Sequence, residues 1–310
     1  MKNPEIPRRP FGRHDEHVSA LALGGYHLGL IGSEREAIRI VHAAIDAGIT
    51  FLDNAWEYHD GRSEARMGKA IKDRRDRVFL MTKVCTHGRD AKTAMRQLDE
   101  SLRRLQTDYL DLWQIHECIY YNDPERHFAR GGAVEALERA KKEGKVRYIG
   151  FTGHKDPDIH LAMLSRRYPF DSCQLPLNGF DASFSNRSFE QLVLPELVAQ
   201  GIAPLGMKSL GAGQAVRKKA VAPSEALRYA MSLPVTTTIS GVDSMRVLKQ
   251  NLAVARGFRP MSERQMAAFR RRIAGEAHDG RYELYKTTAQ HDGPEGRKQH
   301  GFPSAEELSA

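Results

Sequence analysis

The chain has 310 residues, a formal net charge of +8 at pH 7 and three cysteines. This length fits one α/β barrel with extensions, and no linker rich in Pro, Ser or Gly divides the sequence. We therefore expect one domain over residues 1–310, with a core at about 18–276. The odd number of cysteines without CxxC spacing argues against a disulfide framework and indicates a reducing compartment, with the cytoplasm as the default.

The positive charge does not indicate a nucleic-acid partner. Lys and Arg are scattered among Asp and Glu along most helical stretches, and aromatic residues do not interleave with a basic stripe. No run is long and apolar enough to span a bilayer, so we expect no membrane partner. The apolar stretch 18–31, which follows Arg8 and Arg9, is interrupted by glycines and polar residues, and we interpret it as a strand and not as an export signal. A mildly cationic body suits an anionic ligand such as a nucleotide cofactor.

Hydrophobic patterning predicts strands that alternate with helices along the chain. Residues 1–17 are polar and are expected to form an arm or a hairpin. The predicted strands are 18–25, 50–53, 77–84, 109–116, 146–152, 172–177, 202–208 and 235–240. The predicted helices are 33–48, 63–72, 91–105, 133–143, 158–167, 189–200, 224–232 and 245–256. This alternation has the element count of a (β/α)8 TIM barrel, an α/β fold.

Local signals refine this scheme at several positions. Ser33 and Glu36 have the spacing of a capping box at the start of the first helix, and Pro195 is predicted to bend or interrupt the sixth. Segment 117–130 is predicted to be a long polar loop. An extra C-terminal helix, 262–274, and a polar tail, 278–310, lie outside the barrel count, and the tail is either disordered or laid across the barrel as a lid.

A carboxylate, an amine and an imidazole end three consecutive predicted strands. They belong to Asp53, Lys83 and His116, which are separated by roughly the length of one strand-plus-helix unit, about 30 residues. Because the carboxyl ends of barrel strands form one rim, we expect these side chains to meet there. Tyr58, in the loop after Asp53, is expected to fold back beside them.

This set of groups suits protonation of an alkoxide as it forms from a carbonyl. The Lys83 ammonium is expected to lower the pKa of the Tyr58 phenol, Asp53 to hold the ammonium, and His116 to hydrogen-bond the substrate oxygen. The set contains no reductant, so hydride must come from a cofactor. The same rim alone would permit a metal-dependent hydrolase or isomerase, but first-strand H-x-H ligands are absent and no metal is expected.

Several ordered motifs carry a family resemblance. They are F-L-D-N-A-W-E-Y with G-R-S-E-A-R-M-G-K-A-I after it, F-L-M-T-K-V, T-D-Y-L-D-L-W-Q-I-H, G-K-V-R-Y-I-G-F-T-G, the Gln174 strand and segment 241–251. Over about residues 18–256 the chain resembles the aldo/keto reductase family, whose members are (β/α)8 barrels that use a nicotinamide dinucleotide. The resemblance implies that Tyr58 is the general acid and that Asp53, Lys83 and His116 are its partners.

The resemblance also implies a set of cofactor-binding positions. Thr152 stands where the family usually has a Ser that contacts the nicotinamide carboxamide, and Gln174 matches a second contact to that group. Gly153 replaces the usual Asn, and Met207 occupies the place of a frequent nicotinamide-stacking Tyr. The other implied positions are Lys208, Ser209, Leu210 and Gly211 along the pyrophosphate, with Gly241, Ser244, Gln250 and Asn251 near the adenosine.

The implied activity is NAD(P)H-dependent reduction of an aldehyde or ketone, a small-molecule carbonyl substrate, to an alcohol. Family members commonly hold the 2′-phosphate of NADPH with Arg or Lys after the last strand. Here Asp243 would repel a phosphate, whereas Arg246 is within reach of one. We expect NADP as the cofactor, with Arg246 as its phosphate contact and NAD as the alternative. A non-enzymatic alternative is a reductase-like regulator that binds the cofactor with little turnover.

Overall fold

The computed structural model describes residues 4–85, 90–183, 187–289, 291–300, 302–304 and 307. It begins with an antiparallel hairpin of β1 (Arg8–Phe11) and β2 (His14–Ser19). Of the two predicted alternatives for this segment, an arm or a hairpin, the structure has the hairpin, and it extends to Ser19. Phe11 is fully buried and packs on the rings of Phe79 and Tyr148 at centroid distances of 4.9 and 5.0 Å. The hairpin therefore fills the barrel interior at the end where the strands begin.

A closed barrel of eight parallel strands follows, in the order β10-β3-β4-β5-β6-β7-β8-β9. The predicted (β/α)8 TIM barrel is confirmed. The barrel strands are β3 (Leu21–Gly24), β4 (Phe51–Asp53), β5 (Phe79–Cys85), β6 (Leu110–His116), β7 (Val146–Thr152), β8 (Ser172–Pro176), β9 (Ala203–Met207) and β10 (Thr237–Gly241). The first of them starts three residues later than predicted, because residues 18 and 19 pair within the hairpin.

Helices cover the outside of the barrel and bury their apolar faces against it. In chain order they are α1 (Tyr26–Leu30), α2 (Glu34–Asp46), α3 (Arg62–Ile71), α4 (Ala91–Leu105), α5 (Asp123–Phe128), α6 (Ala133–Lys142), α7 (Pro157–Ser165), α8 (Phe189–Leu192), α9 (Leu194–Gln200), α10 (Gln214–Arg217), α11 (Pro223–Ser232), α12 (Met245–Ala255), α13 (Glu263–Ala277), α14 (Leu284–Thr287) and α15 (Pro294–His300). None of those within the described ranges has the length and hydropathy needed to cross a membrane.

The local sequence signals have mixed outcomes. Ser33 caps α2 by accepting a hydrogen bond from the amide of Glu36, and the sixth predicted helix is interrupted at residue 193, just before Pro195, as expected. The prediction that 117–130 is a loop throughout is wrong, because α5 lies within it. The Asp123 carboxylate accepts hydrogen bonds from the amides of residues 119 and 120, which orders the turn that leads into this helix.

The strand register brings the three predicted strand-end residues to the same end of the barrel. Asp53 lies opposite Met81 on β5, two residues before Lys83, and Lys83 lies opposite Gln114 on β6, two residues before His116. Side chains two residues apart on a strand point to the same face. Asp53, Lys83 and His116 consequently follow the stagger of the barrel and project from the same rim.

The segment after α13 packs across this rim. We call its described part between residues 278 and 300 the lid. The lid amide of Gly293 donates to Glu117 Oε1 at 2.8 Å, and Asp292 pairs with Lys155 at 2.5 Å. Lys286 is buried and pairs with Asp181 at 2.5 Å. Of the two alternatives left open for the tail, these contacts favour the lid for the described residues.

Replacement of Lys286 with Met tests the anchor of the lid. Lys286 lies between the buried carboxylates of Asp181 and Glu283, at 2.5 and 2.9 Å. Two uncompensated buried charges would remain, and breaking such a pair costs about 3–5 kcal/mol. We expect the free energy of unfolding in urea to fall by that amount and the lid to become the first site of limited proteolysis.

Lys69→Met is the matched control for this substitution. Lys69 pairs with Glu34, but the two side chains are 49% and 47% exposed, so the expected loss is about 0–1 kcal/mol. Equal losses in the two variants would show that Lys286 does not stabilise the lid through charge pairing.

Candidate active site

The side chains of Asp53, Tyr58, Lys83 and His116 meet at the carboxyl ends of β4, β5 and β6. Lys83 Nζ lies 2.5 Å from Asp53 Oδ1 and 3.4 Å from the Tyr58 hydroxyl. The rings of Tyr58 and His116 are nearly perpendicular, with centroids 5.9 Å apart. All of these residues line one cavity of about 1100 Å³. The structure therefore brings together every residue that the sequence predicts to be catalytic.

The pKa of Tyr58 shifts in the direction opposite to the sequence expectation. Burial raises the pKa of Tyr58 well above its ordinary value, and the negative charges of Asp53, Glu57 and Glu117 raise it further. The Lys83 ammonium favours the phenolate, but it is closer to Asp53 than to the phenol, and its effect does not outweigh burial and the three carboxylates. The expected lowering of the phenol pKa is therefore wrong for this arrangement. The phenol stays protonated at neutral pH, which is the state that a proton donor requires.

Sequence reasoning missed two carboxylates beside His116. Glu57 Oε1 lies 2.8 Å from His116 Nδ1, and Glu117 Oε2 lies 3.9 Å from His116 Nε2 and 3.2 Å from His154 Nδ1. Burial raises the pKa of Glu117 to about 7, although His116 acts against this. Each carboxylate is next to a predicted catalytic residue in the chain. The signal available in the sequence was a charged residue in the segment that follows an apolar strand.

Both implied carboxamide contacts are buried residues that line the cavity. Thr152 and Gln174 end or nearly end β7 and β8. Among the described residues, Gln174 Oε1 is buried without a hydrogen-bond partner. A buried acceptor of this kind fits a ligand that brings an N–H group, as a carboxamide does. The residues present are therefore compatible with a nicotinamide cofactor.

The other implied cofactor positions divide into two groups. Met207, Lys208, Ser209, Leu210, Gly241, Arg246, Gln250 and Asn251 line the same cavity. Gly211 and Ser244 do not. Gly211 has a φ of 56° and a Cβ there would lie 2.5 Å from the carbonyl oxygen of Tyr282, so it serves a tight turn under the lid. Ser244 caps α12 by accepting from the amide of Val247.

Comparison with known proteins assigns this chain to a protein family. The model of the aldo/keto reductase family matches residues 20–225. The chain is 33% identical over 195 residues to the aldo-keto reductase YhdN of Bacillus subtilis, covering 57% of this chain and 54% of that protein. It is 30% identical over 231 residues to the 6-dehydroglucose reductase of Novosphingobium aromaticivorans, covering 69% and 74%.

A solved structure supports the same assignment. The holo form of the aldo-keto reductase AKR11C1 from Bacillus halodurans has a TM-score of 0.73 and 25% identity, covering 86% of this chain and 96% of that one. This protein belongs to the aldo/keto reductase family. The chain spans about half the length of the first curated relatives that it matches, including 46% of the methylglyoxal reductase YeaE of Escherichia coli.

A double-mutant cycle on Asp53 and Lys83 tests the ion pair at the centre of the site. These residues are 3% and 1% exposed. Either single substitution, Asp53→Asn or Lys83→Met, therefore leaves a polar or charged group in the interior without its partner. We expect Lys83→Met to lower the free energy of unfolding by about 3–5 kcal/mol and the double variant to lose less than the sum of both singles. Urea unfolding measures all four proteins, and additive losses would contradict a direct pair.

Proposed function

We propose that this protein is an NAD(P)H-dependent oxidoreductase that reduces an aldehyde or ketone to an alcohol, with Tyr58 as the general acid. The observation that carries the proposal is a neutral, buried phenol 3.4 Å from the Lys83 amine, in a cavity that also contains Thr152 and Gln174. Family membership supports it. Relatives are named as reductases of methylglyoxal and of 6-dehydroglucose, both carbonyl compounds.

Thr152, Gln174 and Met207 would hold a nicotinamide cofactor, which would supply hydride to the carbonyl carbon. The protein supplies the proton. Tyr58 donates its hydroxyl hydrogen to the carbonyl oxygen as negative charge develops there. The phenolate left behind is stabilised by the Lys83 ammonium, which Asp53 holds at 2.5 Å. The His116 ring lies 5.9 Å from the Tyr58 ring between centroids, which supports a role in orienting the substrate oxygen by a hydrogen bond.

We further propose NADPH as the preferred reductant. Arg246 is exposed at the start of α12 and lines the cavity, so its guanidinium can pair with a 2′-phosphate. Asp243 also lines the cavity, but its Oδ1 accepts a hydrogen bond from Ser244 at 2.9 Å. This hydrogen bond favours an Asp243 carboxylate that points towards the start of α12 and not towards the 2′-phosphate.

We also propose a cytoplasmic location. Cys173 is a free, buried cysteine, and burial raises the pKa of its thiol well above its ordinary value. Thiols of this kind take no part in disulfides and fit a reducing compartment.

Tyr58→Phe tests the proton donor. General acid catalysis typically contributes about 10²- to 10⁴-fold, so kcat should fall by this factor while NADPH still binds. The measurement is NADPH oxidation with a panel of aldehydes and ketones, together with NADPH binding by fluorescence. Tyr109→Phe is the control, because Tyr109 is 37% exposed on the outside of the barrel. An unchanged kcat in Tyr58→Phe would refute the assignment.

The same panel separates an enzyme from a regulator. A wild-type protein that binds NADPH but oxidises it with no carbonyl compound, even in a single turnover, would be a cofactor-binding protein and the proposed reduction would fail.

Arg246→Ala tests the cofactor preference. A hydrogen bond to a charged group contributes about 1.5–3 kcal/mol, so the ratio of kcat/KM with NADPH to that with NADH should fall by about 10- to 150-fold. Lys249→Ala on the same helix is the control, because Lys249 is exposed and is not among the residues that line the cavity. An unchanged ratio in Arg246→Ala, or a wild-type preference for NADH, would exclude the phosphate contact.

A further inference from the structure

Lys208 places an isolated cation in the catalytic cavity. It follows β9 and lines the cavity. No carboxylate oxygen of the described residues lies within 4.0 Å of its Nζ. Its backbone has a φ of 57°, and its carbonyl accepts hydrogen bonds from Asn178 Nδ2 at 3.2 Å and from the Gly211 amide at 2.9 Å. Unfavourable φ values in non-glycine residues cluster at functional sites.

The carboxylates around Lys208 are already engaged by other groups. The close pairs are Asp53 with Lys83 at 2.5 Å, Glu57 with His116 at 2.8 Å and Asp292 with Lys155 at 2.5 Å. Glu117 accepts from the lid amide of Gly293, and burial raises its pKa to about 7, so it is substantially protonated at neutral pH. Lys208 therefore carries a positive charge that the described residues around it leave largely uncompensated.

A second group in the same cavity lacks a partner. His154 is buried, and its Nε2 has no hydrogen-bond partner among the described residues. Burial, followed by the charge of Lys208, lowers the pKa of His154 well below its ordinary value, so the imidazole is neutral. Glu117 Oε2 lies 3.2 Å from His154 Nδ1, so the protonated form of this carboxyl donates to Nδ1 and leaves the ring hydrogen on Nε2, where it can be donated to a ligand. Lys208 and His154 thus offer a cation and a neutral donor to one ligand.

The position of Lys208 identifies which part of a ligand it meets. The charges that act on its amine are those of Glu117, Lys83 and Asp53, which belong to the catalytic end of the cavity. The Nζ also lies 5.1 Å from the centroid of the Tyr285 ring, which belongs to the lid. The amine therefore faces the reacting centre and the lid, and the assignment to the pyrophosphate by family resemblance does not account for these neighbours.

We propose that Lys208, together with His154, binds an anionic group, a carboxylate or a phosphate, that the carbonyl substrate carries. The proposal rests on the carbonyl reduction proposed above and narrows its substrate class. Lys208 is partly buried. An ammonium without a close counterion at such a site is unfavourable, and an anionic ligand supplies both the counter-charge and the hydrogen-bond acceptor. Neutral carbonyl compounds of the same shape leave the ammonium unpaired and bind more weakly.

Two aldehydes of matched shape test the selectivity. 4-Carboxybenzaldehyde carries a carboxylate, and methyl 4-formylbenzoate is its neutral ester. We expect the wild-type kcat/KM for the anion to exceed that for the ester by about tenfold or more, mainly through KM, as one charge-assisted contact predicts. In Lys208→Met the ratio should fall to about one, and Lys208→Arg should retain most of it.

Lys218→Met is the matched control, because it removes the same charge from an exposed position nearby. Its ratio should equal that of the wild type. A wild-type ratio near one, or a ratio that Lys208→Met does not change, overturns the proposal. If Lys208→Met weakens NADPH binding in a fluorescence titration while the aldehyde ratio stays the same, the anion is the pyrophosphate of the cofactor and the proposal is likewise overturned.

Binding without turnover separates this site from the proposed reaction. Thermal unfolding is measured with benzoate and with benzamide, neither of which carries an aldehyde or a ketone. We expect benzoate to raise Tm more than benzamide in the wild type and to lose this advantage in Lys208→Met. If no carbonyl compound is reduced but the benzoate effect persists, the reductase proposal fails and the anion site stands. Equal effects of benzoate on both proteins refute the anion site.

Discussion

The ion pair between Lys83 and Asp53 is the constraint on which the rest of the site depends. Both residues are almost inaccessible to water, so each charge must be balanced within the protein. The same ammonium donates to the Asn54 carbonyl and reaches the Tyr58 hydroxyl, so it joins two adjacent strands and the proposed proton donor. Lys83 and Asp53 meet because β4 and β5 end at matching heights. The proposed chemistry therefore depends on the register of the barrel strands.

Burial, more than any single neighbour, sets the electrostatics of the cavity. It raises the pKa values of Tyr58 and Glu117 and lowers those of Lys208, to about 8, and His154. Each shift favours the neutral form, because a low-dielectric site penalises charge. Among the described residues of the catalytic end, Lys208 is an ammonium without a close carboxylate, and this is the basis of the electrostatic selectivity proposed above.

The C-terminal part of the chain, through the lid, also contributes to the site. Its Gly293 amide holds Glu117 beside His116, while the buried pair of Lys286 and Asp181 anchors it to the loop after β8. Residues contributed by the lid therefore shape the substrate end of the cavity. The strands supply the proposed catalytic groups, and lid residues 291–295 line the same cavity.

The sequence by itself determined the barrel and which side chains meet at its proposed catalytic rim. Strand and helix periodicity are local, and the regular spacing of Asp53, Lys83 and His116 implied that parallel strands carry them to one edge. Only the tertiary structure decided that the described part of the tail packs on the rim, that the pKa of Tyr58 rises, and that no carboxylate of the described residues lies within 4.0 Å of Lys208 Nζ. Each of these depends on burial and on contacts between residues far apart in the chain, such as Glu117 with the lid, which no local pattern encodes.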